Sequence, residues 1–278
     1  MRKRIRIKKV VSRFFIYGTL SFVAFLFLIP MIVMLITAIK SPPEIVNTFA
    51  LPQGIYVENF RVAINSGIGR GMINSIFIVV PGVILSTMLG AIAAYPLSQF
   101  KFKGDKLVYL ILLSGMFIPF QSQIIPLFVL MRTLRLYDTF MALWVVHAVY
   151  GIPICTFYLR NYFATIPKSL LEAAIVDGCS LPKYFYKVLL RLAQPGLAAV
   201  IVLQSRSIWN DLLMGLSFTR SPNVSPVTVI LSTLTGAMDI QYGPLMAATL
   251  ISIIPTVTIF LIFKRSFISG VLAGSVKS

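Results

Sequence analysis

Cysteine, histidine and acid are scarce in this chain. Its 278 residues include two cysteines, one histidine and eight Asp or Glu. Cys155 and Cys179 stand alone in separate segments, so there is neither a disulfide framework nor a metal-ligand spacing. His147 is the sole histidine, and no Ser-His-Asp arrangement can be assembled around it. A phosphate-cradling G-x-x-x-x-G-K-S/T loop is also missing. The closely spaced glycines of "GIGRG", Gly67–Gly71, precede an apolar run and read as a turn. These absences argue against catalysis by the chain itself.

What is present is mostly apolar. Hydrophobic residues make up 58% and charged residues only 12%, outside the usual range of a soluble domain. The charges cluster and leave long runs with none. A polytopic membrane protein is the class this implies. Six apolar segments follow, at 14–39, 72–97, 107–131, 139–160, 192–219 and 244–264. Each has about 20 or more residues, enough to cross a hydrocarbon layer of about 30 Å. The first is too long for a signal-peptide core and has no small-residue cleavage site, so it reads as a retained span.

Lys and Arg set the orientation. The tail "MRKRIRIKKVVSR" carries seven. If that tail is cytoplasmic, so are Lys101, Lys103, Lys106, Arg160, Lys168, Lys183, Lys187, Arg191, Lys264, Arg265 and Lys277. Only Lys40, Arg61, Arg70, Arg132, Arg135 and Arg220 then lie outside, and Arg206 lies within a span. A three-to-one bias places both termini in the cytoplasm. The formal charge of +17 is thus mainly a topology signal. Nucleic-acid binding is the other reading of such a charge, but no basic stretch is interleaved with aromatics on a soluble domain. The expected fold is an all-α bundle of six transmembrane helices. It comprises a basic cytoplasmic tail (1–13), a first span (14–39), an external segment (40–71), a five-span core (72–264) and a cytoplasmic tail (265–278).

One polar segment inside the core, 161–191, falls on the cytoplasmic side between spans four and five. Thr165 can cap a helix with Pro167 in its first turn. Asp177-Gly178 ends that helix, with Gly178 suited to a left-handed position. Ser180 caps a second helix, and Pro182 sits in its first turn. Phe185, Val188, Leu189 and Leu192 then repeat at helical spacing. On the first helix, small Ala173 and Ala174 lie beside Leu170, Leu171 and Ile175, with Glu172 at the edge. Such a patch suits a helix-in-groove contact with another chain. It equally suits an amphipathic loop lying on its own bundle or on lipid.

The run "EAAIVDGCS", followed by "YFYKVLL" and "QP", resembles the EAA loop of permease subunits of binding-protein-dependent ABC importers. The match covers Glu172, Ala173, Ala174, Asp177, Gly178, Ser180, Phe185 and Pro195. "NSIFIVVPGVILSTMLGAIAAYPLSQFKFKG", "MFIPFQSQIIPLF", "IWNDLL" and "SGVLAGSVKS" resemble the carbohydrate branch, in particular its six-span maltose-type permease partner. The resemblance implies that Glu172, Ala173, Ala174, Asp177 and Gly178 couple the chain to a cytoplasmic ATPase. It also implies a second homologous permease subunit, two ATPase subunits, an extracytoplasmic solute-binding protein and a carbohydrate substrate. ATP and Mg would be bound by the ATPase, and no cofactor by this chain. The setting would be the cytoplasmic (inner) membrane of a prokaryote. The external segment 220–243 would by resemblance reach into the cleft of a docked binding protein; a loop packed over the bundle is the other reading. The tail "LAGSVKS" would lie against the ATPase dimer, and by itself reads as a short flexible tail.

Packing and the path through the membrane complete the reading. Gly82, Ser86, Gly90 and Ala94 recur at four-residue steps, a stripe that lets helix backbones approach closely in lipid. Prolines 81, 119, 126, 153 and 255 interrupt or flank spans and mark kinks or irregular turns. His147, Arg206 and Asp211 are ionisable residues inside spans, where a charge costs at least about 2.5–3.5 kcal/mol. Arg206 therefore needs water, a carboxylate or an anionic ligand. Asp211 lies about 140° around a helix from it, so a direct pair is awkward. Trp209 and Asn210 could stack on and hydrogen-bond to a sugar. The candidate path residues are Arg206, Trp209, Asn210, Asp211, Gln121, Gln123 and His147. Arg206 departs from the family pattern, and so does Arg191, where proline is common. An anionic sugar or a carboxylate on the partner permease would each account for Arg206. A secondary transporter driven by an ion gradient is the alternative class. It usually carries internal repeats and acidic relays, and only Asp211 is a candidate for the latter.

Overall fold

Apolar segments deprived of water must satisfy every backbone N–H and C=O within themselves, which makes them helices. The computed structural model describes residues 2–236 and 240–275, with side chains described for 13, 15–236 and 240–262. Among these residues all regular structure is helical. The elements are α1 (Arg2–Ala38), a short 3₁₀ turn (Pro42–Val46), α2 (Glu58–Asn65), α3 (Ile68–Gln99), α4 (Asp105–Ser114), α5 (Phe120–Thr133) and α6 (Phe140–Phe163). Then come α7 (Ser169–Val176), α8 (Leu181–Tyr184), a wide π-type turn (Phe185–Leu189) and α9 (Leu190–Leu192). The chain ends with α10 (Gln194–Trp209), α11 (Leu213–Phe218), α12 (Val227–Thr235) and α13 (Tyr242–Ser275).

Four helices among the described residues are long and apolar enough to cross a membrane: Phe15–Ala38 of α1, α3, α6 and Tyr242–Ile262 of α13. Leu181–Leu192 and Gln194–Trp209, bent by 79°, make a fifth if taken as one broken span. Two of the six expected spans are therefore not single helices. The third, 107–131, is split between α4 and α5. Gly115 caps α4, two tight turns follow (Met116 N–H to Leu113 O, Phe117 N–H to Ser114 O), and Pro119 opens α5. The residue before a proline disfavours helix, so Ile118 cannot carry α4 onward. The fifth, 192–219, ends its main helix at Trp209 and resumes as α11.

Other boundaries also differ from expectation. The basic tail 1–13 is helical from Arg2 onward, and α13 stays helical through Ser275 rather than ending as a loose tail; the last three residues lie outside the described part. Of "GIGRG" only Gly67 is a turn residue, with φ +90°, and helix starts at Ile68. The segment 220–243, expected to be external, carries a helix, α12, and its residues 237–239 lie outside the described part.

The helices sort into two units. One comprises 1–66 and 233–251. Its loop is closed by polar side chains acting on backbone. Lys40, fully buried, donates from Nζ to the carbonyls of Asn47 (2.7 Å) and Thr48 (3.1 Å). Asn59 Nδ2 donates to the carbonyls of Ala38 (3.0 Å) and Lys40 (2.8 Å). The second unit comprises 67–232 and 252–278. Its centre is the close pairing of α3 with α6. The small-residue stripe of α3 faces small residues of α6. A Cβ on Gly90 would strike Cys155 Cβ and the Thr156 backbone nitrogen, and one on Gly151 would strike Ser86 Cβ. Packing of this kind drives helix association in lipid. Trp144 Nε1 donates to Phe77 O at 2.8 Å, and Gln204 of α10 donates to Gly151 O at 3.3 Å.

The segment after α11 is folded against this unit. Asn74, buried on α3, donates to the carbonyls of Pro222 (3.0 Å) and Ser225 (2.9 Å). Ser75 Oγ accepts the Val227 N–H at 2.8 Å and so caps α12. Asp138 Oδ1 accepts from the N–H groups of Arg220 (2.8 Å) and Ser221 (2.9 Å). Residues 220–229 thus form a packed shelf.

Candidate functional site

The polar segment 161–191 folds as a helix, a tight turn and a second helix, all in the second unit. Its first helix, α7, starts later than expected. Lys168 stands at the N-cap, while Thr165 Oγ1 donates back to Tyr162 O at 2.7 Å. Thr165 therefore closes α6 instead of opening α7. The C-terminal end matches expectation. Gly178 has φ +74°, Cys179 N–H donates to Ala174 O (2.8 Å) and Gly178 N–H to Ile175 O (2.9 Å). This crossed pair satisfies the last carbonyls of α7 and turns the chain back within two residues. Ser180 precedes α8 in extended backbone with Pro182 in the first turn, although its hydroxyl makes no capping bond.

One face of this device is sunk into the bundle. Leu171 is buried in a cluster with Phe163, Ile166, Tyr184, Phe185, Leu189 and Ala193. Tyr95 of α3 holds the second helix. Its hydroxyl donates to Leu181 O (3.3 Å), and its ring centroid lies 5.2 Å from that of Phe185. Gln99 Nε2 donates to Phe163 O at 2.9 Å, tying the ends of α3 and α6 together. At the base of α10, a Cβ on Gly196 would collide with the Tyr162 ring. Through Leu171, α7 thus joins one close-packed cluster that also holds side chains of α3, α6 and α10.

The other face is free. Glu172, Ala173, Ile175, Val176 and Asp177 are exposed, and Val176 is 87% exposed. Ala173 leaves room for close approach, Ile175 and Val176 give an apolar contact, and the two carboxylates rim it. An apolar centre with a charged rim is the layout of a docking contact. All five coupling candidates, Glu172, Ala173, Ala174, Asp177 and Gly178, belong to this one short element. The aromatic base beneath it (Tyr95, Tyr162, Tyr184) is absent from the sequence-based expectation. Its only signal there is aromatic residues at the ends of spans.

The path candidates are dispersed. Arg206 is exposed on α10, together with Ser207 and Asn210. Its side chain borders a groove of about 270 Å³ with Val202, Trp209, Val257 and Phe260. Asn210 Nδ2 donates to Arg206 O at 2.9 Å. Trp209 is buried, and its Nε1 donates to Ser252 O at 3.2 Å. Asp211 Oδ2 accepts the Met214 N–H at 2.9 Å and so opens α11. Gln123 Oε1 accepts from the Tyr150 hydroxyl at 2.7 Å, whereas Gln121 is exposed. His147 is buried on α6 facing Gly82 of α3. Trp209, Asp211, Gln123 and His147 therefore have internal structural contacts, and Arg206, Asn210 and Gln121 present polar groups outward. Among the described residues no His, Cys, Asp and Glu cluster could hold a metal ion.

Residues 86–271 match the family model described as "Binding-protein-dependent transport system inner membrane component". The chain belongs to this family. The match spans Ser86, Gly90 and Ala94 of the stripe on α3, α7 and its turn, and most of α13. The chain is 34% identical over 266 residues to the osmoprotective compounds uptake permease protein GgtD of Synechocystis sp., covering 92% of this chain and 89% of that one. It is 31% identical over 252 residues to the diacetylchitobiose uptake system permease protein NgcG of Streptomyces coelicolor, covering 89% and 83%. It is 32% identical over 263 residues to the arabinooligosaccharides transport system permease protein AraQ of Halalkalibacterium halodurans, covering 92% and 94%. In fold it is similar to a chain of a bacterial ABC transporter involved in the import of the acidic polysaccharide alginate. The TM-score is 0.80 at 24% identity, with 94% of this chain and 97% of that chain covered. As a permease component the chain is a non-catalytic membrane subunit, and ATP hydrolysis falls to a separate subunit. It works in a membrane alongside an ATPase and a binding protein.

Proposed function

We propose that this chain is one of two homologous permease subunits of an ATP-driven carbohydrate importer, in the cytoplasmic membrane of a prokaryote. Two ATPase subunits, each with ATP and Mg, dock on its cytoplasmic side, and an extracytoplasmic binding protein delivers substrate. The chain crosses six times with both termini in the cytoplasm. The split pair α4 and α5 makes the third crossing, and α10 with α11 the fifth. Positive charge on α1, the α3–α4 connection and the 161–191 loop supports that orientation. The names of relatives that carry diacetylchitobiose and arabinooligosaccharides support the carbohydrate class.

The observation that carries the proposal is the two-faced α7. Its buried side chain, Leu171, belongs to the cluster shared with α3, α6 and α10, and its exposed face is small, apolar and acid-rimmed. Closure of the ATPase pair on ATP moves α7, and the keyed bundle follows as alternating access. Ala173→Trp and Glu172→Lys fill or invert that exposed face without touching the buried one. In the reconstituted complex both are expected to abolish substrate-stimulated ATP hydrolysis and uptake while the permease pair still assembles. Wild-type coupling in both variants would remove the proposal.

We propose further that the outward polar face of α10, Arg206 with Ser207 and Asn210, lines the path. Lipid gives no partner to such groups. Arg206 then favours acidic over neutral sugars. In uptake assays Arg206→Gln is expected to lower acidic-sugar uptake about tenfold relative to neutral, one charge-assisted hydrogen bond at about 1.5–3 kcal/mol. An unchanged ratio would assign Arg206 to pairing with the partner permease.

A further inference from the structure

At the α3–α4–α6 junction the second unit carries a small basic cleft. It measures about 220 Å³ and is lined by Leu97, Asp105, Lys106, Tyr109, Leu110 and Arg160. Arg160, in the last turn of α6, is fixed from two sides. Its Cζ lies 4.2 Å from the Tyr109 ring centroid, and its Nε donates to Leu97 O at 3.2 Å. The ring and the carbonyl orient the guanidinium and leave its terminal nitrogens without an ion pair among the described residues. Lys106, in the first turn of α4, is exposed at the same cleft. Asp105 shares the lining and opposes an anion there. Its Oδ1 already accepts the Lys106 N–H at 2.7 Å, which holds the carboxylate at the start of the helix. Lys101 and Lys103, both exposed, stand just before α4 and add positive charge.

The flank of the cleft is greasy. Leu107, Leu110 and Ile111 continue along α4 and are 62%, 63% and 62% exposed. A free anion has no use for such a wall. A molecule with a phosphate head and acyl chains uses both parts. The cleft also lies at the C-terminal end of α6, a helix long and apolar enough to cross a membrane, and so falls at headgroup depth if α6 spans it. Basic pockets between helices at that depth recognise anionic headgroups.

We infer that this cleft binds the phosphate headgroup of an anionic phospholipid, with the Arg160 fork and Lys106 on the phosphate and the acyl chains along α4. The bound lipid braces Leu97 of α3 to Arg160 of α6. Those two helix ends also carry Gln99 and Phe163, which hold the base of α7.

The test is lipid retention by the purified full-length chain with its co-expressed subunits. The complex is exchanged into nanodiscs of phosphatidylcholine doped with phosphatidylglycerol, and retained lipid is counted by native mass spectrometry. Lys106→Glu touches no side-chain contact of the fold, and Arg160→Lys keeps the charge while losing the fork. Lys106→Glu is expected to lower phosphatidylglycerol retention at least about fivefold, the weight of one basic residue near a membrane surface, and Arg160→Lys to lower it measurably through loss of the bidentate fork on the phosphate. Lys183→Glu, at an exposed position of α8, is expected to leave retention unchanged. Equal retention in wild type, Lys106→Glu and Arg160→Lys would overturn the inference. So would a loss as large in Lys183→Glu, which would mean diffuse charge attraction. Displacement of phosphatidylglycerol by excess inorganic phosphate alone would overturn the lipid assignment in favour of a free-anion site.

Discussion

Single polar side chains fix the loops around residues 40–59 and 220–229 at positions no local pattern reveals. Asp138 adopts a left-handed backbone with φ +60°, which its short side chain tolerates. Partial burial pushes its carboxyl up, but the N–H groups of Arg220 and Ser221 and the Ser221 hydroxyl outweigh this and leave it below the usual carboxylate range. The sign follows from linkage. A carboxyl depressed in the fold stabilises it fully above the ordinary value of 3.8, and that stabilisation is lost as pH falls through the lower folded value. Thermal melting of the purified complex is expected to show Asp138→Ala less stable than wild type by a constant margin above that value. The margin is expected to shrink below it. A margin that grows on acidification would contradict the hydrogen-bond pattern. Asp138, Asn74 and Lys40 were not legible as anchors, because each acts on backbone groups and, for the first two, on groups more than 80 residues away. Gly178 was legible, because a sharp reversal between two short helices needs a left-handed residue and glycine adopts it freely. Of the path candidates, sequence placed Trp209 and Asp211 in the fifth apolar segment but could not aim them. Their partners, Ser252 O and Met214 N–H, are set by tertiary packing and by a helix break.

At the scale of elements, the α3–α6 seam is the support on which the proposed coupling element stands. Its stripe was readable because four-residue spacing of Gly82, Ser86, Gly90 and Ala94 needs only helix periodicity. What periodicity could not give was the complementary run on α6, where Gly151 and Cys155 alternate with larger residues. Gly90→Leu inserts a side chain where Cys155 and the Thr156 backbone already lie. It is expected to destabilise the fold by about 1–3 kcal/mol, the usual cost of overpacking. Gly69→Ala, where nothing lies within 4 Å of an added Cβ, is expected to be neutral. A lowered melting temperature for Gly90→Leu alone checks this, and equal melting of both variants would contradict the seam. The helix-turn-helix of 161–191 was legible from Gly178, Ser180 and Pro182. At α4 and α5 Pro119 marked an irregular turn, but the full break into two helices was not legible, because mean hydropathy over 107–131 stays high across Gly115 and Pro119. Thr165 misled for a similar reason: one hydroxyl can finish a helix or start the next, and only the Tyr162 carbonyl decides.

At the scale of the whole molecule, membership of the transport family gives the chain its place, and α7 carries the mechanism we propose for it. The permease contains no motor, so work must enter through a surface that is free on one side and rigidly held on the other. The most direct measurement is photo-crosslinking from a benzoylphenylalanine at position 173 in the complete importer, with Val145 on the outer face of α6 as reference. The account predicts an adduct with the ATPase subunit from position 173 and none from position 145. Absence of an ATPase adduct from position 173 in a complex that still imports substrate would contradict it.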